Sequence, residues 1–209
     1  MIIVNFSTQF YYVLQRRLRE SLHGQKMLLF NDYGQIRSPT HKESPYQFKI
    51  HSIEKAFQRD DIVLWCDASL WRVGDISIIE NHIKTDGYFM EEAGAWTGQW
   101  TNQFTRDYFK MTEEELAVPG GMFMFAAGFL GLDIQNPVAM EWFRQWKESA
   151  IAGCFKGSWE DHRHDMTCGS IIAQRMGMKF HRGQTHMAYV GLDYPPAPEG
   201  VVFKLKGYI

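Results

Sequence analysis

The chain has 209 residues, of which 45% are hydrophobic and 15% aromatic, and its formal net charge is −2. This length predicts a single domain over residues 1–209, and the apolar content excludes an intrinsically disordered chain. The nearly balanced charge gives no electrostatic reason to expect nucleic acid or an anionic membrane as a partner.

The first part of the chain alternates short apolar runs with longer amphipathic segments. The apolar runs, rich in β-branched residues, predict three buried strands. These lie at residues 1–6, 26–32 and 61–67. The amphipathic segments have apolar residues at helical spacing and predict three helices. These lie at residues 10–22, 46–58 and 75–87.

The rest of the chain continues with mixed elements. Short apolar runs predict strands at residues 88–90 and 120–133, the latter ending in a turn, and in the tail at 187–192 and 201–209 around a proline-rich turn. Helical spacing follows the loop that ends at residue 103 and continues to residue 117. It is also found over 136–151 and over 165–178, and Asp165 is the candidate N-cap of the last of these helices. Glycine, proline or tryptophan-rich composition predicts loops at residues 33–45, 91–103 and 154–164.

This order of elements predicts an α/β fold with one mixed β-sheet of the Rossmann type and helices on both faces. In such sheets ligands bind at the carboxyl ends of the strands, where the strand order reverses. Asp67 follows the strand predicted at residues 61–67. A functional role is therefore expected for Asp67, with a cap of the following turn as the alternative.

The cysteines and the N-terminus predict a cytoplasmic protein without a membrane span. Cys66, Cys154 and Cys168 are an odd number without a short CxxC spacing. This argues against a disulfide framework and for a reducing compartment. The apolar start "MIIVNF" follows no basic segment and is too short to cross a bilayer.

Two segments carry candidate metal ligands. Asp67 and Ser69 offer two oxygen ligands at a strand end, which suits Mg²⁺ or Mn²⁺. In the segment "GSWEDHRHDMTCGS", His162 and His164 have the i, i+2 spacing with which an extended segment can ligate one metal. A solvated polar loop is the alternative explanation of the second segment.

Other polar and aromatic residues suggest contacts with a ligand. Trp96 and Trp100 can stack on a sugar or a base, although they can equally cover the edge of the sheet. Lys49, in the helix before the Asp67 strand, can neutralise a phosphate or lie at the surface. The P-loop, GxGxxG and GxSxG motifs are absent from the sequence.

The motifs "DIVLWCDAS", "MFMFAAGFLGLDIQNPVAMEWFRQW" and "KGSWEDHRHDMTCGSIIAQRMGM", taken in this order, resemble GT-A-type nucleotide-sugar glycosyltransferases. The likeness is to bacterial and phage glycosyltransferase-like proteins and covers residues 48–178. The resemblance implies a GT-A fold and transfer of a sugar from a nucleoside-diphosphate donor to a glycan or another hydroxyl acceptor. It also implies assistance by Mn²⁺ or Mg²⁺.

The resemblance further implies roles for individual residues. Asp67 and Ser69 correspond to the metal-binding DxD element, but Ser69 replaces its second acid, which leaves weaker metal binding or metal independence open. Ala126 departs from the asparagine expected in an Asn-Ala-Gly segment. Donor-binding roles are implied for Asn5, Phe6, Ser7, Lys49, Asp67, Ser69, Ala127, Gly128 and His164. The metal-ligand candidates are Asp67, Ser69, His162 and His164.

Charge that develops on the departing diphosphate would be stabilised by a metal at Asp67 and by Lys49. The acceptor hydroxyl needs a proton acceptor, for which Asp165 and Asp161 are the candidates. The predicted acceptor contacts are Trp96 and Trp100. Two other functions stay open: a metal-dependent phosphohydrolase or nuclease built on the histidine-rich segment and Asp67, or a nucleotide- or glycan-binding module without turnover.

Overall fold

The computed structural model describes residues 1–183, 185–190 and 196–206. The strands are β1 (Ile2–Phe6), β2 (Met27–Phe30), β3 (Ile62–Cys66), β4 (Leu70–Arg72), β5 (Tyr88–Trp96), β6 (Phe123–Asp133), β7 (Met187–Tyr189) and β8 (Phe203–Leu205). The helices are α1 (Tyr12–Ser21), α2 (Tyr33–Ile36), α3 (Phe48–Phe57), α4 (Ser77–Asp86), α5 (Gln103–Phe109), α6 (Glu113–Leu116), α7 (Pro137–Ile151) and α8 (His164–Arg175). Two 3-10 turns lie at Gln9–Tyr11 and Thr97–Trp100.

The main sheet is mixed and has the strand order β2-β1-β3-β6-β5. Strand β1 is parallel to both β2 and β3, whereas β6 is antiparallel to β3 and β5. The parallel pairs need crossover connections, which α1 and α3 supply. The predicted α/β fold with a mixed sheet is therefore confirmed. The prediction of a single sheet is wrong, because β4, β7 and β8 form a second one.

Helices cover both faces of this sheet, because alternate strand residues point to opposite sides. One face packs against α3, α7 and α8, around Trp65 and Trp142. The other face packs against α1, α4 and a second sheet, around Leu64, Phe89 and Phe203. We call these the α8 face and the α4 face.

The second sheet has the order β4-β8-β7, with β8 antiparallel to β4 and parallel to β7. The two tail strands predicted from the sequence are confirmed at residues 187–189 and 203–205. The predicted strand positions 191–192 and 207–209 and part of the proline-rich turn lie outside the described residues. No helix within the described ranges is long and apolar enough to cross a membrane.

The loop predicted over residues 91–103 is wrong, because β5 continues as far as Trp96. Its pairing with β6 is irregular, with register shifts on both sides of Glu92. Gly94 has a φ of 73°, which interrupts the extended pattern. The neighbouring strand thus supplies hydrogen-bonding partners for a segment whose own sequence has no strand periodicity.

Two local predictions in the second half are also corrected. Residues 123–133 form one continuous strand without a turn. Gly128 and Gly131 do not reverse the chain; they let the side chains of Asp67 and Ile83 pack closely against β6. Asp165 is not the N-cap of α8: the helix begins at His164, and Asp165 lies in its first turn with a buried side chain.

Candidate functional site

A cavity of about 770 Å³ opens at the carboxyl ends of β1 and β3. The strand order reverses between these two strands, which is where α/β sheets bind ligands. Seven of the residues predicted to form the site line this cavity. They are Phe6, Ser7, Asp67, Ser69, Trp100, Ala127 and Gly128.

Asp67 projects from the end of β3 into the cavity and is firmly positioned. Its Oδ1 accepts a hydrogen bond of 2.7 Å from Nε1 of Trp65. Its backbone N–H donates to the carbonyl of Gly128 at 2.8 Å. A Cβ atom at Gly128 would lie only 2.8 Å from Oδ2 of Asp67. The glycine therefore makes room for the carboxylate, whose side chain is 34% exposed.

Lys49 lies behind Asp67 and links it to Asp165. Its Nζ is 3.4 Å from Oδ1 of Asp67 and 2.8 Å from Oδ2 of Asp165, and it donates to the carbonyl of Ala127 at 3.1 Å. Burial alone would lower the pKa of Lys49, but the two carboxylates outweigh this effect and raise it. The ammonium group is therefore charged and holds both acids in place.

This arrangement changes the predicted roles of Lys49 and Asp165. Both side chains are almost completely buried, with exposed fractions of 3% and 2%, and neither lines the cavity. Asp165 therefore does not reach an acceptor hydroxyl, and Lys49 does not reach a phosphate in the cavity. Both residues instead position Asp67.

Asn5 also lies behind the cavity. Its Nδ2 donates to the carbonyl of Cys66 at 2.7 Å, and its Oδ1 accepts from Nε2 of Gln15 at 2.8 Å. These bonds tie β1 to β3 and to α1. The predicted contact of Asn5 with the donor is thus replaced by a role in aligning the two strands whose ends form the cavity.

The predicted metal ligands His162 and His164 do not join Asp67. In His162, Nε2 is 2.7 Å from the carbonyl oxygen of Cys154 and Nδ1 is 3.2 Å from that of Trp100. In His164, Nδ1 is 2.9 Å from the carbonyl oxygen of Phe155. Neither ring lines the cavity. The participation of His162 in a metal site is corrected, because both of its ring nitrogens face carbonyl oxygens.

The two remaining predicted residues lie apart from the cavity. Asp161 is exposed in the turn before α8. Trp96 stacks on Phe123 with the ring centroids 3.9 Å apart. Its ring covers the edge of the sheet, which is the alternative that the sequence left open.

Aromatic rings around Phe6 and a guanidinium group complete the cavity, and the sequence singled out Phe6 but not Tyr33, Phe48 or Arg163. Phe6 lies against Tyr33 and Phe48, with ring centroids 4.7 and 4.8 Å apart. The guanidinium carbon of Arg163 is 3.5 Å from the ring centroid of Trp100 and 4.2 Å from that of Trp159. Nη1 of Arg163 donates to the carbonyl of Trp159. The stacking holds the guanidinium group in place, and its other N–H groups are left as donors for a ligand.

His41 lies at the open rim and also escaped prediction, because it stands in a segment that reads only as a loop. Its Nδ1 accepts a hydrogen bond from the backbone N–H of Tyr46 at 3.3 Å, so the hydrogen of the neutral ring is on Nε2. Partial burial and nearby Lys49 lower the pKa of His41. The ring is therefore a neutral N–H donor at neutral pH.

Comparison with known proteins adds no family assignment. No family model matches the chain, and no curated protein matches it closely enough to count as a relative.

Proposed function

We propose that this protein is a glycosyltransferase that moves a sugar from a nucleoside-diphosphate donor to a hydroxyl acceptor. The observation that carries the proposal is the cavity at the strand-order reversal, with anchored Asp67 at its floor. Its volume of about 770 Å³ is that of a small-molecule site. The mixed sheet, with β6 reversed between β3 and β5, agrees with the GT-A architecture that the resemblance implies.

The walls of the cavity suit the two parts of a nucleotide. The aromatic group of Phe6, Tyr33 and Phe48 offers ring faces for a base. Arg163 and the Nε2–H group of His41 offer donors for an anionic diphosphate. These donors would strengthen their contacts as the bond from the sugar to the diphosphate breaks and the electron pair stays on the phosphate oxygen.

The oxygen atoms at Asp67 and Ser69 can ligate a hard divalent cation, but they provide only one carboxylate oxygen and one hydroxyl group. Trp65 and Lys49 lie against Oδ1 of Asp67, which leaves Oδ2 and the hydroxyl group of Ser69 as ligands. Mg²⁺ is commonly held by one or two carboxylates together with substrate phosphates. Bound Mn²⁺ or Mg²⁺ would supply positive charge at the diphosphate, and the protein would contribute a single carboxylate to it.

The proton of the acceptor hydroxyl needs a destination inside the cavity. Asp67 is the only carboxylate among the described residues that line it. Asp161 and Asp165 lie elsewhere. With a cation on Oδ2 of Asp67 the proton would pass to the departing diphosphate, and without a cation it would pass to Oδ2 of Asp67. The resulting bond is formed between the acceptor oxygen and the anomeric carbon of the sugar.

A nucleotide-binding module without turnover is the second candidate. Trp65 and Lys49 already occupy one oxygen of Asp67, and Ser69 stands where the resembled family has a second acid. The phosphohydrolase alternative has less support, because it needs His162, His164 and Asp161 beside Asp67.

The proposal is tested by measuring the melting temperature with UDP, GDP, CDP or ADP, each with Mn²⁺, Mg²⁺ or a chelator. One nucleotide should raise the melting temperature of the wild type through linkage, and the rise should be lost in Asp67→Asn. Asp161→Asn is the matched control, because this acid is exposed and does not line the cavity. Its response should equal that of the wild type.

The matching nucleotide sugars are then tested for acceptor-dependent release of the nucleoside diphosphate. Release that needs an acceptor supports the transferase, whereas binding without release supports the module. The absence of any nucleotide effect on the folded wild type would overturn both.

A further inference from the structure

Three histidines meet on the α4 face of the main sheet, one of them far along the chain from the other two. His82 lies on α4, His181 forms a bridge with Glu91 of β5, and His186 precedes β7. The ring centroids are 4.3 Å apart for His82 and His181, 5.0 Å for His82 and His186, and 4.8 Å for His181 and His186. One ring nitrogen of each lies within 4.8 Å of the other two.

This histidine cluster is separate from the cavity at Asp67. All three rings contact Phe89, which belongs to the core of the α4 face. Lys49 and Asp67, in contrast, lie near Trp65 in the core of the α8 face. None of the three histidines lines the cavity.

Backbone hydrogen bonds fix the positions of the two later histidines. The N–H of His181 donates to the carbonyl of Met90, and the N–H of Glu92 donates to the carbonyl of His181, both at 2.9 Å. The N–H of His186 donates to Oε1 of Glu91 at 2.9 Å. The fold itself therefore brings the rings together.

Two buried polar atoms beside the cluster have no hydrogen-bond partner among the described residues: Nδ1 of His186 and Oε2 of Glu91. Their side chains are 8% and 1% exposed, and Nδ1 of His186 is 4.0 Å from Oε1 of Glu91. Buried polar groups are nearly always paired, so these two atoms indicate that His186 and Glu91 pair more closely once the three rings are held by a ligand.

We propose that His82, His181 and His186 bind one zinc ion and that Glu91 orients His186. Imidazole nitrogens suit zinc, and three histidines with an open fourth position form a known type of zinc coordination. A carboxylate that accepts the second ring N–H of a ligating histidine is the usual outer partner of such a site. Glu91 is placed for this role, because a small rotation of the His186 ring would close the gap between them.

The geometry needs only local adjustment to accept the ion. Zinc–nitrogen bonds of about 2.0–2.1 Å in a tetrahedron place the nitrogens about 3.4 Å apart. The present nitrogens lie within 4.8 Å of one another, and side-chain rotation can shorten this separation.

Bound zinc would join His82 of α4 to His181, which pairs with Glu91 of β5, and to His186, which precedes β7. Because the ligands come together only in the folded protein, metal binding adds its free energy to folding. The proposed role is therefore structural, and it is independent of sugar transfer.

The test uses full-length protein stripped with a chelator and titrated with Zn²⁺ against a chromogenic competing chelator. We expect one zinc ion per chain and a higher melting temperature with the ion. His82→Ala should abolish this binding, and Glu91→Gln should weaken it about 10–100-fold. His23→Ala, which removes an exposed histidine, and Asp67→Asn should bind zinc as the wild type does.

A second measurement does not depend on stability. Co²⁺ in place of Zn²⁺ should give a visible tetrahedral spectrum in the wild type and in Asp67→Asn, and lose it in His82→Ala and His181→Asn. Circular dichroism establishes that each variant is folded before titration. Failure of the wild type to bind zinc, or equal affinity in wild type and His82→Ala, would overturn the proposal.

Discussion

The two faces of the main sheet differ in how their buried charged groups are compensated. Oδ2 of Asp165 on the α8 face also has no hydrogen bond of ordinary geometry among the described residues, but Nζ of Lys49 lies 2.8 Å from it. On the α8 face, Lys49 contacts Asp67, Asp165 and a backbone carbonyl, so the charges compensate one another. On the α4 face, Glu91 and His186 each have a buried atom without a partner among the described residues.

This difference indicates that the ion group around Lys49 positions Asp67, whereas the atoms at Glu91 and His186 belong to a site that lacks its ligand. A buried and compensated ion group fixes the geometry of whatever it touches, in this case Asp67. Uncompensated buried atoms carry a desolvation cost unless something binds them. The α8 face therefore presents one acid to a cavity, whereas the α4 face is arranged to take up an ion.

The largest loss of stability is expected from Lys49→Met, which removes the charge compensation on the α8 face. The change leaves the carboxylate of Asp165 buried without its partner, and it should lower the free energy of unfolding by about 3–5 kcal/mol. Urea unfolding measures this loss. The double variant Lys49→Met, Asp165→Leu removes the uncompensated charge and should regain part of the stability.

Lys147→Met is the matched control. It breaks an ion pair with Glu54 in which both side chains are partly exposed. Such a pair contributes about 0–1 kcal/mol. Equal losses for the Lys49 and Lys147 variants would contradict the assignment of Lys49 as a buried anchor of two acids.

A smaller loss of stability is expected from substitutions in β6, where Gly131 faces the α4 side and Gly128 lies against Asp67. A Cβ atom at Gly131 would be 2.4 Å from Cδ1 of Ile83, in the core of the α4 face. Gly131→Ala should therefore cost about 1–3 kcal/mol through overpacking and leave nucleotide binding unchanged. Urea unfolding and calorimetric titration with the nucleotide measure the two quantities.

Gly128→Ala should show the reverse pattern. Its Cβ would meet Oδ2 of Asp67 at 2.8 Å, so the carboxylate has to turn away from its present position. Nucleotide binding should weaken more than stability does. Unchanged nucleotide binding in Gly128→Ala would separate Asp67 from the proposed donor site.

The sequence predicts the regular parts of the fold well. Strands β1, β2 and β3 are continuous apolar runs, and α3, α4 and α7 have clear helical spacing, so all six elements are found at or near their predicted positions. Strand β5 was missed beyond residue 90, because register shifts and the positive φ of Gly94 break its periodicity. Its pairing with β6 depends on tertiary structure.

The sequence predicts one of the two sites only in part and does not predict the other. Asp67 could be identified because a polar residue that ends a buried strand has a defined place at the edge of a sheet. The pairing of Lys49 with Asp165 joins α3 to α8 and leaves no spacing signal in the sequence. The histidine cluster is equally hidden, since His82 of α4 is far along the chain from His181 and His186, and only the packed sheet brings the three rings together.

The smallest expected effect within a single pH unit is a pH dependence of stability on the α8 face. Burial lowers the pKa of His164 to about 4. The unfolded chain has an ordinary histidine pKa of about 6.5 and takes up the proton first, so stability is lost as the pH falls from about 6.5 to about 4. One proton contributes no more than about 1.4 kcal/mol per pH unit to this slope.

His164→Asn should reduce the slope without abolishing it, because burial also lowers the pKa of His162. Asparagine suits the position, whose φ is 46°. Urea unfolding of wild type, His164→Asn and the exposed control His23→Asn across this pH range measures the difference. If His164→Asn loses stability as steeply as the wild type, His164 is not the group whose burial makes the α8 face sensitive to acid.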